Sequence, residues 1–535
     1  MSPGFRKRLI GTVGSLLAAA LLVTGCSSES GADGPGASEG EISRGGELRV
    51  GLNVDPGTLD PAQTTFTVTR QLYDSLTALD LETGEIRPWI AESWEVNGDS
   101  TEFTFKIRDD VTFSNGTKLN AETVKVNFDE IVRNSLQSFF PGYLETEVVD
   151  EYTAKVTFSS PNSGFLQATS VPQLGLREPS TIEGKTKEER SSADSFIGSG
   201  PFVLDSYDKD QEIVLKQREG YTWGSPTSSH QDEAYIDSLK FLIVPENGVR
   251  TGLLQSDQLD IDASVNPADE STNEAAGFTV HSRILPGLVQ SLYPHISSPR
   301  LADESVRQAL QISVDREDIV NTLLTPNYRA ATNAVSQTTP GWTDLSEKLE
   351  YDPEEAKSIL DGAGWREGPD GIREKDGVRL SFEVHYLPNT SYSTDVLELV
   401  QQQLREVGFE LSIKQSVTAD FLAALRNPEV DFTAGNQTRA DIDVLRTAYS
   451  PTSGSNFAFL DAGDPIVELI EQIPATSDPE KRNALGEEAA TALLDHGIQI
   501  PLFDISQSVA VSPKVQGLGF ESSSRPDYYS VWLEN

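Results

Sequence analysis

Four charged residues alternate late in the chain: Arg439, Asp441, Asp443 and Arg446, within GNQTRADIDVLRTAYS (435–450). A carboxylate taken out of water makes charge-assisted hydrogen bonds with an ammonium, and a guanidinium grips a carboxylate with two parallel bonds. The run therefore suits a ligand that carries both signs of charge. The same residues also admit a purely structural use. Asp443 can cap a short helix through VLRTAY, worth about 1 kcal/mol, with Arg446 left in solvent. Catalytic constellations are harder to find. There is no HExxH or GxSxG, and EGKT (183–186) carries Pro179 where a phosphate loop needs its first glycine. His230, His281, His295, His385 and His496 are scattered and never stand four apart, so each reads as a surface or structural imidazole. No metal, cofactor or catalytic residue is assigned.

The single cysteine, Cys26, follows a basic stretch (Arg6, Lys7, Arg8) and an uncharged run from Leu9 to Val23. That order is an export signal, and the apolar part falls short of the ~20 residues a spanning helix needs. Thr24-Gly25-Cys26 resembles a bacterial lipobox, which implies removal of residues 1–25 and diacylation of Cys26. A plain secretory signal or an uncleaved anchor is the alternative. Residues 27–44 are small, polar and Gly-rich, the composition of a flexible tether. With one thiol and one methionine, both at the N-terminal end, disulfides and Cys-based zinc sites are excluded from the body. The net charge of −41 repels nucleic acid and anionic lipid. A chain of 535 residues exceeds one hydrophobic core, so two or more lobes are expected.

The elements that must position any site alternate between strand and helix patterns. GELRVGLN (46–53) has Leu48, Val50 and Leu52 on one face, and the loop DPGTLDPA (55–62) breaks after it. TEFTFKIRDDVTFSNG (101–116) reads as a hairpin, and Asn120 as the cap of a helix carrying Val124, Phe128, Ile131 and Val132. Further on, Asp352 and Pro353 open a helix that stops at Gly364. RLSFEVHYL, VLELVQQQLREV and FELSIK then give strand, helix and strand, a right-handed parallel crossover. The composite is an α/β chain with antiparallel hairpins in its first half.

Residues 91–131, AESWEVNGDSTEFTFKIRDDVTFSNGTKLNAETVKVNFDEI, resemble family 5 of the bacterial extracellular solute-binding proteins. DPGTLDPA, GSGPFVLDSY (198–207), VRQALQISVDREDIV (306–320), YDPEEAKSILDGAGW (351–365) and IPLF (500–503) follow in the family's order. The resemblance spans about residues 46–535. It implies a two-lobed periplasmic-binding-protein fold of type II, with mixed sheets, flanking helices and an extra subdomain. Lobe I would take 46–282, with the subdomain at about 86–195, and the return segment 502–535; lobe II would take 283–501.

By the same resemblance, the protein is a lipid-anchored binding component of an ABC importer, a monomer outside the cytoplasm that serves a permease and its ATPase. It would bind short peptides or similar zwitterions, or else a nickel chelate or opine; a secreted hydrolase using two carboxylates is a distant alternative. Peptide-binding relatives use a Gly-Trp-x-x-Asp-x-x-Asp-Pro segment in lobe II to hold the peptide amine. Here Asn436 replaces the Trp and Val444 the Pro. The implied ligand residues are Arg439, Asp441, Asp443 and Arg446 with Asn436 and Gln437, then Thr65 and Phe66 after DPGTLDPA, and Tyr143 and Arg177 in the subdomain.

Overall fold

The computed structural model describes residues 42–63, 67–134, 139–388, 393–453 and 455–534. Cys26, the export segment and most of the tether lie outside the described residues, as do Thr65 and Phe66. Two large sheets organise the described chain, each with its own apolar core.

The first sheet is built around Glu47–Leu52, whose Leu48, Val50 and Leu52 are buried. It pairs in parallel with Ser238–Ile243 on one side and Ile261–Asp262 on the other. Glu212–Gln217 and Phe202–Asp208 extend one edge; Ser506–Val511 and Thr279–Ile284 extend the opposite one. In the second sheet Gly287–Pro294 lies between Phe432–Thr438 and Ile500–Asp504. Ser381–Tyr386 adds to it in parallel, runs through the helix Ser393–Val407, and returns in parallel as Glu410–Gln415. This is the crossover read from the alternating pattern. The expected caps also form. Asn120, Asp315 and Asp352 accept from the backbone N–H of Thr123, Asp318 and Glu355 at 3.3, 2.9 and 2.8 Å.

A third, four-stranded sheet holds Ala91–Val96, Glu102–Ile107, Thr153–Phe158 and Tyr143–Asp150, with the helix Ala121–Asn134 against it. Phe165 plugs its core, 5.0 Å from the ring of Phe103 and 4.9 Å from that of Phe158. The hairpin expected within 101–116 does not form. Glu102–Ile107 is paired on both edges, by Ala91–Val96 and Thr153–Phe158, so no edge remains for residues 111–113. Val111 and Phe113 are buried all the same, and the chain there makes only an isolated bridge, Thr112 to Lys118.

The backbone passes between the two large sheets twice, from Ile284 to Gly287 and from Asp504 to Ser506. The Leu285 N–H donates to the Ile505 carbonyl at 2.9 Å, so the crossings lie side by side. Gly287 has φ of +112°, and a Cβ there would stand 2.1 Å from the Gln437 carbonyl oxygen. Only glycine lets the strands approach so closely at this point. Two adjacent strand-to-strand crossings form a hinge about which two lobes can turn.

Asp504 sits buried at the second crossing. Burial pushes its carboxyl up to about 7, against the opposing pull of the Gln337 N–H, Arg329 and Ser336. A folded pKa above the ordinary 3.8 means that the folded state holds this proton more tightly than the unfolded chain does. The carboxyl therefore costs stability progressively as pH rises from about 4 to about 7. Urea midpoints at pH 5 and pH 8 should show the native chain weakening over that interval, and Asp504→Asn should flatten the slope. Equal slopes for both proteins would remove Asp504 as the cause.

Candidate functional site

A cavity of about 630 Å³ lies between the two large sheets, beside the hinge. One wall comes from the ends of first-sheet strands, at Asn53 and Ser264; the other comes from Asn436, Gln437 and Thr438 on the second sheet. A second cavity of about 190 Å³ adjoins it, sharing Gln290 and Asn436, and is lined by the rings of Tyr293, Tyr386, Phe421 and Phe457. Together they fall within the 300–1,000 Å³ typical of small-molecule sites and have one polar and one aromatic end.

The polar end is made of neutral amides and hydroxyls. Among the described residues, Arg525 is the one charged side chain lining either cavity. Burial lowers the pKa of its guanidinium while nearby Glu521 raises it. The Glu521 carboxylate itself accepts from the backbone N–H groups of Ser523 and Arg525, at 2.9 and 3.3 Å. Gln437 Oε1, Gln173 Oε1 and Ser506 Oγ are buried around the same cavity without a hydrogen-bond partner among the described residues. A buried polar atom left unpaired costs on the order of 1–3 kcal/mol, a cost these residues shed if a rotamer change turns the atoms onto a solute or water in the cavity.

The charge run lies elsewhere and is turned on itself. Asp443 is fully buried, and Arg446 forks onto it, Nε to Oδ1 at 2.8 Å and Nη2 to Oδ2 at 2.7 Å. Arg439 stands 3.1 Å from the same carboxylate and donates to Thr447 Oγ1 at 2.7 Å. Asp441 is clasped by Arg482, from Nη1 to Oδ2 at 2.8 Å, and accepts from the Asp443 N–H at 2.8 Å. Burial works against the charge of Asp441, but Arg482 and Arg439 outweigh it and hold the carboxyl below its usual range. Arg439 is shifted the other way: burial lowers its pKa, and the Arg446 and Arg482 cations add to that. Asp443 occupies the N-cap position of the helix Val444–Tyr449, yet its side chain makes no capping bond, and Arg446 is buried rather than solvated. The structural alternative read from the sequence is thus corrected from a cap to an internal ion-pair network. None of these four residues is among those lining the two cavities.

That network meets the small sheet. The Arg439 guanidinium lies 5.3 Å from the centre of the Phe139 ring, and Ser163 donates to the Pro474 carbonyl from N at 3.0 Å and from Oγ at 2.8 Å. Gly164 comes so close that a Cβ would be 3.0 Å from Arg482 Nη2.

Asn436 and Gln437 do line the cleft. Arg177 is buried, with Nη1 2.9 Å from Asp60 in the DPGTLDPA loop and Nη2 on the carbonyls of Arg190 and Ser195, each at 3.2 Å. Tyr143 is half-buried, its hydroxyl donating to Asp129 and lying 2.8 Å from Thr146 Oγ1, both within the small-sheet segment. Thr65 and Phe66 cannot be placed, being outside the described residues. Sequence reasoning missed Arg525, which carries no motif, and Arg482, which lies 41 positions from its partner. One signal was available: Asp443 and Arg446 are three apart, the spacing at which helical neighbours pair.

The model for the bacterial extracellular solute-binding proteins, family 5 Middle, matches residues 85–462. The nickel-binding periplasmic protein of Escherichia coli K12 is 24% identical over 493 residues, covering 89% of this chain and 92% of its own. The dipeptide-binding protein of the same organism is 26% identical over 496 residues, covering 86% and 89%. The crystal structure of NikA from Brucella suis in complex with Fe(III)-EDTA superposes with a TM-score of 0.79 at 23% identity, over 91% of this chain and 100% of that one. That superposition shows a shared two-lobed fold of mixed sheets and helices. The chain belongs to family 5 of the bacterial extracellular solute-binding proteins.

Proposed function

We propose that the protein is the lipid-anchored binding component of an ABC importer, closing its lobes around a small polar solute and passing it unaltered to a permease and its ATPase. The observation that carries this reading is the cavity of about 630 Å³ set between two sheets joined by a paired crossing, with unpaired polar atoms in its walls. We take 46–282 with 502–535 as one lobe and 283–501 as the other, and Cys26 as the acylated N-terminus of a monomer that works outside the cytoplasm. Relatives named for nickel and for dipeptides support a solute of that size, a short peptide or a metal chelate. The binding step uses no bond-making chemistry.

Solution X-ray scattering tests the closure. Chain stripped of solute by unfolding and refolding is expected to be more extended, and to contract when its native extract is returned. Identical profiles before and after would sink the reading. Mass spectrometry of protein extracted from membranes should find Cys26 at the N-terminus, bearing acyl chains; an intact N-terminus would remove the anchor.

A further inference from the structure

We propose that the cleft selects an anionic solute with no free ammonium group, and that Arg525 holds its carboxylate. The proposal rests on the solute-binding reading and narrows it to a chemical class. Among the described residues no aspartate or glutamate lines either cavity, so nothing there offers an ammonium a counter-charge. Among the acids close in sequence to the cleft wall, Asp262 is committed to Arg250, and Asp441 and Asp443 are committed to Arg482, Arg446 and Arg439. A buried ammonium without a partner is costly, so a solute bearing one is disfavoured.

The positive side of the balance is specific. Arg525 faces the polar end, and no side-chain hydrogen bond or ion pair occupies its guanidinium among the described residues. Its one electrostatic neighbour, Glu521, already accepts from two backbone N–H groups. A guanidinium with free donors in a closing cleft matches a carboxylate in geometry as well as charge. Around it the amides of Asn53, Asn247, Asn266 and Gln437 supply neutral hydrogen bonds, suited to hydroxyl, amide or further carboxylate oxygens. The net charge of −41 repels anions at long range, but salt screens that field over about 8 Å, leaving the local cation to decide the contact.

The experiment is to purify the full chain natively, unfold it, and identify what is released, alongside Arg525→Gln and Arg525→Lys. The expected solute ionises in negative mode with loss of carbon dioxide and does not react with an amine reagent such as fluorescamine. Arg525→Gln should carry at least tenfold less of it per protein, with Arg525→Lys in between and circular dichroism unchanged in all three. A released compound with a primary amine would overturn the proposal, as would equal loading of Arg525→Gln. If the native chain releases nothing and also fails to contract with cell extract, the importer reading itself falls, a result distinct from either of those.

Discussion

Asp443→Asn is expected to destabilise the protein by about 3–5 kcal/mol, because it leaves Arg446 and Arg439 buried without their counter-ion. The substitution keeps the shape of the side chain and changes only its charge. Two effects compete. Desolvating three guanidinium groups and two carboxylates is costly, and their mutual attraction in a poorly polarisable interior offsets that cost only while the set is complete. Asp443 is the keystone, since both of its oxygens are gripped by Arg446 and one by Arg439 as well. Removing the fork together with the acid, as Asp443→Asn with Arg446→Met, should recover part of the loss, since the uncompensated cation goes too. Urea unfolding of the four proteins of that cycle measures both quantities. A loss below about 1 kcal/mol for Asp443→Asn would mean that Arg446 is solvated rather than buried on the acid, as in the capping use read from the sequence.

That outcome bears on what the sequence could disclose. Strand alternation at Leu48, Val50 and Leu52, and the caps at Asn120, Asp315 and Asp352, depend on neighbours within a few positions, and they were legible. So was the family, because it is written in blocks of local sequence kept in order. The pairing of Glu102–Ile107 was not, since the strands on its two edges come from different distances along the chain and compete with the adjacent residues 111–113. The site suffered in the same way. Asp441 and Arg439 looked like ligand groups because Arg482, Gly164 and Phe139, which surround them, are invisible at short range. Arg177 drew attention as a cation in a loop, while Asp60, more than a hundred positions earlier, holds it. Arg525, in SSSRPDYY near the C-terminus, had no pattern to mark it and matters only because folding carries it to the cleft.

Gly164→Leu should weaken solute binding roughly 5- to 150-fold while leaving the fold intact, the equivalent of about 1–3 kcal/mol against the closed state. The glycine has φ of −80° and ψ of 0°, a conformation open to any residue, so the backbone is not strained by a side chain. Under the proposed lobe division, what a side chain meets belongs to the other lobe: Arg482 Nη2 at 3.0 Å, Asp441 Oδ1 at 3.2 Å and Arg439 Nη2 at 3.3 Å from the Cβ position. Alanine requires these atoms to give by a few tenths of an ångström. Leucine must either break the Asp441–Arg482 pair or hold the small sheet away from it, and the bonds from Ser163 to Pro474 would open as well. The second route is the cheaper one, because parting the lobes at a hinge sacrifices few contacts, whereas stranding Asp441 leaves a buried charge. Calorimetric titration with the solute recovered from the native chain gives the affinity, and scattering gives the mean extension. The variant is expected to be more extended and to bind more weakly at an unchanged unfolding midpoint. A lowered midpoint with unaltered affinity would show instead that the ion pair yields first, and that the lobes meet at Gly164 whether or not the cleft is filled.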